Sequence, residues 1–194
     1  MNARSDEFAE AAASFLETMP HATIVSIERV QNTAMHDAFL LQASTLKKQL
    51  GGDWDDKKHR KNLWHGTQAV DAIVNSRDGY GFLPLLSGSV TGAIWGDGTY
   101  VARDAQYSSN YAKVLSPGQK MHKQILLVDV LLGQSVQGVQ GMKMCPLLPG
   151  EQHKRYNSLY GFDPSVPRDP ADPTIFVIQH SNQAYPSYLL TYHE

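Results

Sequence analysis

The chain has a single cysteine, Cys145, among its 194 residues. That excludes an intrachain disulfide and any zinc site built on two thiolates. Long apolar runs are missing too: nowhere do about eighteen apolar residues stand together, so no membrane span is expected. Charge of one sign is scarce. Seventeen Lys plus Arg against 19 Asp plus Glu leave a formal charge of −2, too little for a broad electrostatic footprint on nucleic acid or an anionic membrane. The usual phosphate cradles are absent, and Gly96-Asp-Gly98 is too short to serve as one. There is no G-x-S-x-G elbow, and Cys145 beside Pro146 reads as an inert, packed thiol. The eight histidines match no metal-ligand spacing, so no metal is expected. The N-terminal segment Met1 to Glu7 carries acids where a signal peptide carries positive charge, and Glu10 and Glu17 interrupt its apolar residues. The expectation is a soluble intracellular domain, cytoplasmic or nuclear, and a monomer.

What is present is ordinary for a globular chain: 42% hydrophobic and 19% charged residues. The length predicts a single domain over 1–194, with an N-terminal helix in 1–22 and a core over 23–194. Ser5 is a candidate N-cap, and Phe8, Ala12, Phe15, Leu16 and Met19 recur at helical spacing up to Pro20. Thr23 to Val30 alternates like a strand, and a second helix is predicted from about Met35 to Leu50, stopped by Gly51-Gly52. Gly51 to Asn62 reads as a charged connection, and Leu63-Trp-His65 as a short strand end. Thr67 is expected to cap a short helix reaching Asn75. Arg77 to Gly98, with six glycines, reads as one long binding loop or lid. Ala105 to Leu115 is predicted helical with Pro117-Gly118 as its stop. Lys123 to Leu132 is the strongest strand, Pro146 to Pro173 shows no element, and Thr174 to Gln179 and Tyr188 to Tyr192 are closing strands. The sum is an α+β fold with a mostly antiparallel sheet.

Chemistry-bearing residues gather beside the strands. Leu63-Trp-His-Gly-Thr67 sets a histidine, a glycine and a hydroxyl at one strand end. Gly96-Asp-Gly-Thr-Tyr-Val-Ala102 sets a tyrosine after a glycine turn, and Tyr107-Ser-Ser-Asn-Tyr111 sets two aromatics around two hydroxyls. Glycine lets a ligand approach the backbone, a tyrosine pair can sandwich a flat ring, and a hydroxyl can fix an amide. Taken alone, each piece is more often ordinary packing.

Together, in order, these segments resemble the catalytic domain of the poly(ADP-ribose) polymerase (PARP) family, the diphtheria-toxin-like ADP-ribosyltransferases. Ile27-Glu-Arg-Val-Gln-Asn32 is similar to the family's opening strand, Leu63 to Thr67 to its "L-[FW]-H-G-[TS]", and Gly96 to Ala102 to its "G-x-G-x-Y-F-A". Tyr107 to Tyr111 resembles "x-S-x-x-Y", Tyr156-Asn-Ser158 stands where "Y-D-S" is frequent, and Gln183 to Leu189 follows the "Q-A-Y-P-E-Y-L" of the mono-ADP-ribosylating branch. The match spans Thr23 to Tyr192 and implies two packed, mostly antiparallel sheets flanked by helices, with NAD as substrate and a nicotinamide cleft between strands.

The resemblance also implies roles. His65 would hydrogen-bond a ribose of NAD. Gly66 and Ser108 would hold the nicotinamide carboxamide, Tyr111 would stack on its ring, and Tyr100 would close the other side. Thr67 and the Arg77 to Gly98 loop would border the adenosine end. The family's catalytic glutamate falls on Ile175, eight residues before Gln183, and an isoleucine supplies neither charge nor base. This His65–Tyr100–Ile175 set resembles the mono-transferring branch, in which an acidic acceptor is thought to bring the missing carboxylate. Asp172 and Glu194 are the nearest carboxylates in sequence, and neither matches a family position. Transfer of one ADP-ribose to an acceptor is therefore expected. Protein is the expected acceptor, with nucleic-acid ends left open; the alternative is an inactive module that binds NAD or ADP-ribose.

Overall fold

The computed structural model describes residues 6–77, 81–84, 93–115 and 121–194. The chain begins with helix α1 (Asp6–Thr18), whose first-turn acids Asp6 and Glu7 suit the helix dipole. Ala11 and Phe15 form its buried stripe, while Leu16 is exposed rather than buried as its spacing predicts. The expected cap, Ser5, lies outside the described residues, as does Pro117-Gly118. Strand β1 (Thr23–Arg29) leads into α2 (Thr33–Leu50). This helix starts earlier than Met35 because Asn32 caps it, accepting the Met35 N–H at 3.1 Å. Met35, Phe39, Ala43 and Leu46 are its buried face, and Gly51, at φ +55°, ends it.

The charged segment Gly51 to Asn62 is more ordered than its composition suggests. It holds a 3₁₀ turn, a one-turn helix α3 (Asp56–His59) capped by Asp55, and the first half of β2 (Arg60–His65). The strand is disguised because its exposed end carries Arg60, Lys61 and Asn62, and only Leu63 and Trp64 are fully buried. Arg60 is a sheet residue nonetheless. Its guanidinium forks onto Asp129 of the neighbouring strand, with Nε at 2.9 and 3.1 Å from the two carboxylate oxygens.

After α4 (Val70–Val74) the chain reaches β3 (Thr99–Ala102) and α5 (Ala105–Ser109). The described parts of the Arg77 to Gly98 loop, 81–84 and 93–98, carry no helix or strand apart from single turns. The helix expected to run to Leu115 stops at Ser109, because Lys113 and Val114 form a short strand β4 (Lys113–Val114) on β5 (Lys123–Leu131). β5 is apolar from Ile125 to Val128 and again at Val130 and Leu131 because both its faces are buried there, with Asp129 turned to Arg60. Leu126, Val128 and Val130 enter one core cluster, Ile125 and Leu127 another. β6 (Ser135–Gln137) and β7 (Ser158–Gly161) follow, the second inside the stretch expected to hold no element. β8 (Ile175–Ile178) is buried throughout. β9 (Ala184–His193) starts earlier than Tyr188: Pro186 fits within it because the register against β5 shifts there, between Leu127 and Val128.

Hydrogen bonds join the strands in the order β1-β9-β5-β2-β3-β8-β7-β6, with β4 on β5. Every pair is antiparallel except β6–β7. The two sheets of the expectation are thus halves of one path, and they meet at a single pair, Trp64↔Ala102. Leu63, Leu126 and Val128 from one half share a core with Val101, Phe176 and Ile178 from the other. On the far face, α1 packs Phe15 against Trp64 and Tyr192, with ring centroids 5.5 and 4.8 Å apart. Among the described residues no helix is long and apolar enough to cross a membrane.

Phe15 is 0% exposed and belongs to a cluster that joins α1 to four strands, β1, β2, β5 and β9. Phe15→Ala should cost about 3–5 kcal/mol of unfolding free energy. Urea titration checks it, and a loss below about 1 kcal/mol would mean that α1 is not part of the cooperative core.

Candidate active site

His65 ends β2 at the place where the two halves of the sheet part company. Its Nδ1 lies 2.7 Å from the carbonyl oxygen of Tyr100 on β3, and its ring meets Phe82 edge-on at 5.4 Å. A carbonyl only accepts, so Nδ1 carries the proton in this bond. Burial pushes the imidazole below its ordinary value of 6.5, against a smaller upward pull from the Tyr100 carbonyl. The ring is therefore neutral at pH 7, and Nε2 keeps a lone pair that can accept a hydrogen bond.

Gly66 follows directly, and nothing larger fits. A Cβ there would stand 1.9 Å from the carbonyl oxygen of Ser108 and 3.1 Å from Cβ of Tyr111. The end of α5 is thereby pressed against the exit of β2. The Ser108 hydroxyl, buried, donates to the Trp64 carbonyl at 3.0 Å and leaves its oxygen lone pairs as acceptors. The backbone turn Tyr111 N–H to Ser108 O, 3.0 Å, sets the Tyr111 ring beside Tyr107, with centroids 5.6 Å apart and planes at 56°. Burial and the neighbouring Tyr111 hydroxyl raise the Tyr107 phenol. Thr67 serves the next element: its hydroxyl accepts the Ala69 N–H at 3.1 Å, just ahead of α4.

Tyr100 is fixed from both ends. Its hydroxyl donates to the Gly96 carbonyl at 2.8 Å and accepts the Trp95 N–H at 3.0 Å, and burial raises the phenol. The turn needs its glycines, since Gly96 and Gly98 sit at φ +100° and +150°. Tyr100 pairs with Val177 and Ala102 with Ile175, so Tyr100 and Ile175 lie on one face as diagonal neighbours on adjacent strands. Ile175 is 0% exposed.

The fold thus unites His65 with Tyr100, Gly66 with Ser108 and Tyr111, and Tyr100 with Ile175. The two carboxylates nearest in sequence are occupied. Asp172 is paired with Arg103, and Glu194 binds Lys123 at 2.9 Å and the Ser109 hydroxyl at 3.1 Å. Two residues that the sequence reading missed stand against the β7–β8 pair. The Trp95 indole lies flat on Gly161, where a Cβ would come within 2.2 Å of it, and Asp163 leaves β7 beside Thr174. No local pattern marks either one. Cys145 is buried and its thiol is pushed up to about 11, the setting of a packed thiol. Among the described residues no three His, Cys, Asp or Glu side chains converge on a metal position. A cavity of about 690 Å³ opens elsewhere, lined by Glu7, Glu10, Arg29, Asn32 and His36, and contains none of the site residues.

A family model described as the poly(ADP-ribose) polymerase catalytic domain matches residues 5–194. The chain is similar to protein mono-ADP-ribosyltransferase PARP12 of Homo sapiens, 34% identical over 99% of this chain and 25% of that protein. The Mus musculus PARP12 is 31% identical over the same shares. The Mus musculus protein mono-ADP-ribosyltransferase PARP11 is 30% identical over 98% of this chain and 58% of its own length. The chain spans about a quarter of the length of the PARP12 proteins it matches.

Gly66→Ala forces backbone against backbone, which a side-chain rotation cannot relieve. The variant should lose about 1–3 kcal/mol of stability or shift α5 away from β2. Thermal unfolding with amide exchange at Tyr107 to Tyr111 checks this, and unchanged protection and melting would contradict the packing.

Proposed function

The chain belongs to the poly(ADP-ribose) polymerase catalytic-domain family, and from that premise we propose that it is an NAD-dependent mono-ADP-ribosyltransferase. In this reaction the bond between the nicotinamide nitrogen and ribose C1′ breaks with its electron pair on nicotinamide. A nucleophilic atom of the acceptor then bonds to C1′ with inversion, and the acceptor's proton goes to solvent. The leaving group is already cationic, so orientation and charge stabilisation supply most of the rate.

The observation that carries this reading is the His65–Tyr100 bond, 2.7 Å. It fixes the tautomer that turns an Nε2 acceptor toward a ribose hydroxyl, and it ties that anchor to the strand bearing the tyrosine. Gly66, whose flank has no room for a side chain, would offer its N–H and C=O to the carboxamide, with Ser108 completing the set. Tyr111 and Tyr100 would cover the two ring faces. Thr67 would border the adenosine end with its hydroxyl proton, since the oxygen accepts from the Ala69 N–H and can still donate. Ile175 cannot deprotonate the ribose hydroxyl that would attack a second NAD, which favours single units over chains. Protein is the acceptor class we propose, by analogy with the relatives' names.

Ile175 also favours a second reading, an NAD-binding module without turnover, because a wholly buried hydrocarbon offers no charge to the transition state. Incubation with labelled NAD separates the two. Transfer predicts label on the chain or on an added extract protein, lost in His65→Ala; a module predicts binding without label. Intact-mass spectrometry should find adducts of one ADP-ribose each, and ladders of linked units would refute mono-transfer.

Two further outcomes are expected. Tyr111→Ala should weaken a nicotinamide-like inhibitor by about 1–3 kcal/mol in calorimetry, the scale of one lost stacking face. Because His65 is lowered from 6.5, the neutral, binding form persists through neutral pH. The transfer rate should therefore fall only on the acid side of 6.5, as Nε2 gains a proton and ceases to accept. An acid limb centred above 6.5 would refute the assignment of His65.

A further inference from the structure

Asp163 is a buried carboxylate that the proposed chemistry has not yet used. It is 7% exposed, and no lysine or arginine forms an ion pair with it among the described residues. A buried carboxylate without a counter-charge has to be held by hydrogen bonds. Its place in the fold is beside position 175. Gly161, the last residue of β7, pairs with Ile175, and the chain leaves the sheet through Phe162 to Asp163. There the Asp163 N–H donates to the Thr174 hydroxyl at 2.7 Å, while Thr174 returns its own N–H to the Gly161 carbonyl at 3.2 Å. The backbone of Asp163 is tied to the residue next to Ile175.

The side chain is oriented as well as placed. Oδ1 accepts from the Ser165 N–H at 2.8 Å and from the Ser165 hydroxyl at 2.7 Å, and Oδ2 has no hydrogen-bond partner among the described residues. Its negative charge acts on Tyr107, whose phenol is raised first by burial and the Tyr111 hydroxyl and then by Asp163. Asp172 and Glu194 are engaged in surface ion pairs and cannot serve.

We propose that Asp163 is a positioning carboxylate, which supplies from the loop after β7 the negative potential at the sugar end of the cleft that Ile175 cannot supply. Its charge would favour the positive charge that grows on C1′ as nicotinamide departs, acting across Tyr107 rather than by touching the sugar. The inference rests on the NAD-cleaving reading above. It would let the chain stabilise the first transfer without depending wholly on an acidic acceptor, and it provides no base for elongation.

Asp163→Asn isolates the charge, because the amide oxygen can still accept both bonds from Ser165. Labelled transfer from NAD should fall at least about tenfold in kcat. The KM for NAD should stay within about twofold and the melting temperature should hold, and Asp163→Glu should recover most of the rate. An Asp163→Asn enzyme that turns over like the parent overturns the proposal alone. A fall in kcat matched by equal losses of inhibitor affinity and melting temperature also overturns it, since that marks a loop that has lost its anchor. Should Asp163→Asn fail to fold, Asp163→Ser takes its place, since it too removes the charge and keeps an oxygen beside Ser165, and an unchanged kcat there is equally fatal. A parent chain that neither transfers nor cleaves NAD overturns the reading of function itself, and this inference with it.

Discussion

The site depends on a place where the sheet is almost not a sheet. Six pairs join β2 to β5, but only Trp64↔Ala102 joins β2 to β3. A full ladder at this junction would bring the two strands side by side and leave no space between them. With one pair, the halves splay, and the Tyr100 carbonyl takes a side-chain donor, His65 Nδ1, where a neighbouring strand would have offered a backbone N–H. One bond thus satisfies an otherwise open backbone group, selects the histidine tautomer and holds the two halves in register. The side chains on either side of this gap form the candidate site.

The same economy explains Ile175. All four residues of β8 are buried, and the strand is covered on both faces. A carboxylate at its first position would have to be desolvated or to draw water into the core. Isoleucine keeps the strand dry and removes the charge from its direct place in the sheet. A loop just outside the strand carries Asp163 with fewer constraints, since a loop residue can bind its own neighbours, as Ser165 shows.

Residues whose chemistry needs a particular type were legible in the sequence. His65, Gly66, Tyr100, Ser108 and Tyr111 fall on the short segments that the resemblance picked out, and the fold brings them together. Elements whose stabilisation comes from distant partners were not legible. Arg60 to Asn62 form a strand because β5 offers Asp129 and a ladder; Lys113-Val114 pair rather than coil because β5 runs on past β2. Pro186 reads as a break and sits in a strand through a register shift on its neighbour. Asp163 has no local signature, because its significance lies in Thr174 and Ile175, residues it meets only after β7 and β8 have paired. Single-sequence reading sees i to i+4 and alternation, and misses what a second strand supplies.

Trp95 draws several of these threads to one side chain. Its amide donates to the Tyr100 hydroxyl, its indole lies on Gly161, its ring stands 6.0 Å from Phe162, and its Nε1–H is buried without a partner. Of the three tryptophans, Trp64 belongs to the α1 core, and Trp54 bonds Asp56 at the surface. The chain therefore has a built-in optical reporter on the Tyr100 hydroxyl and the β7–β8 pair. Whatever displaces Tyr100 or that pair alters the surroundings of one indole, and its emission changes without any label having been attached.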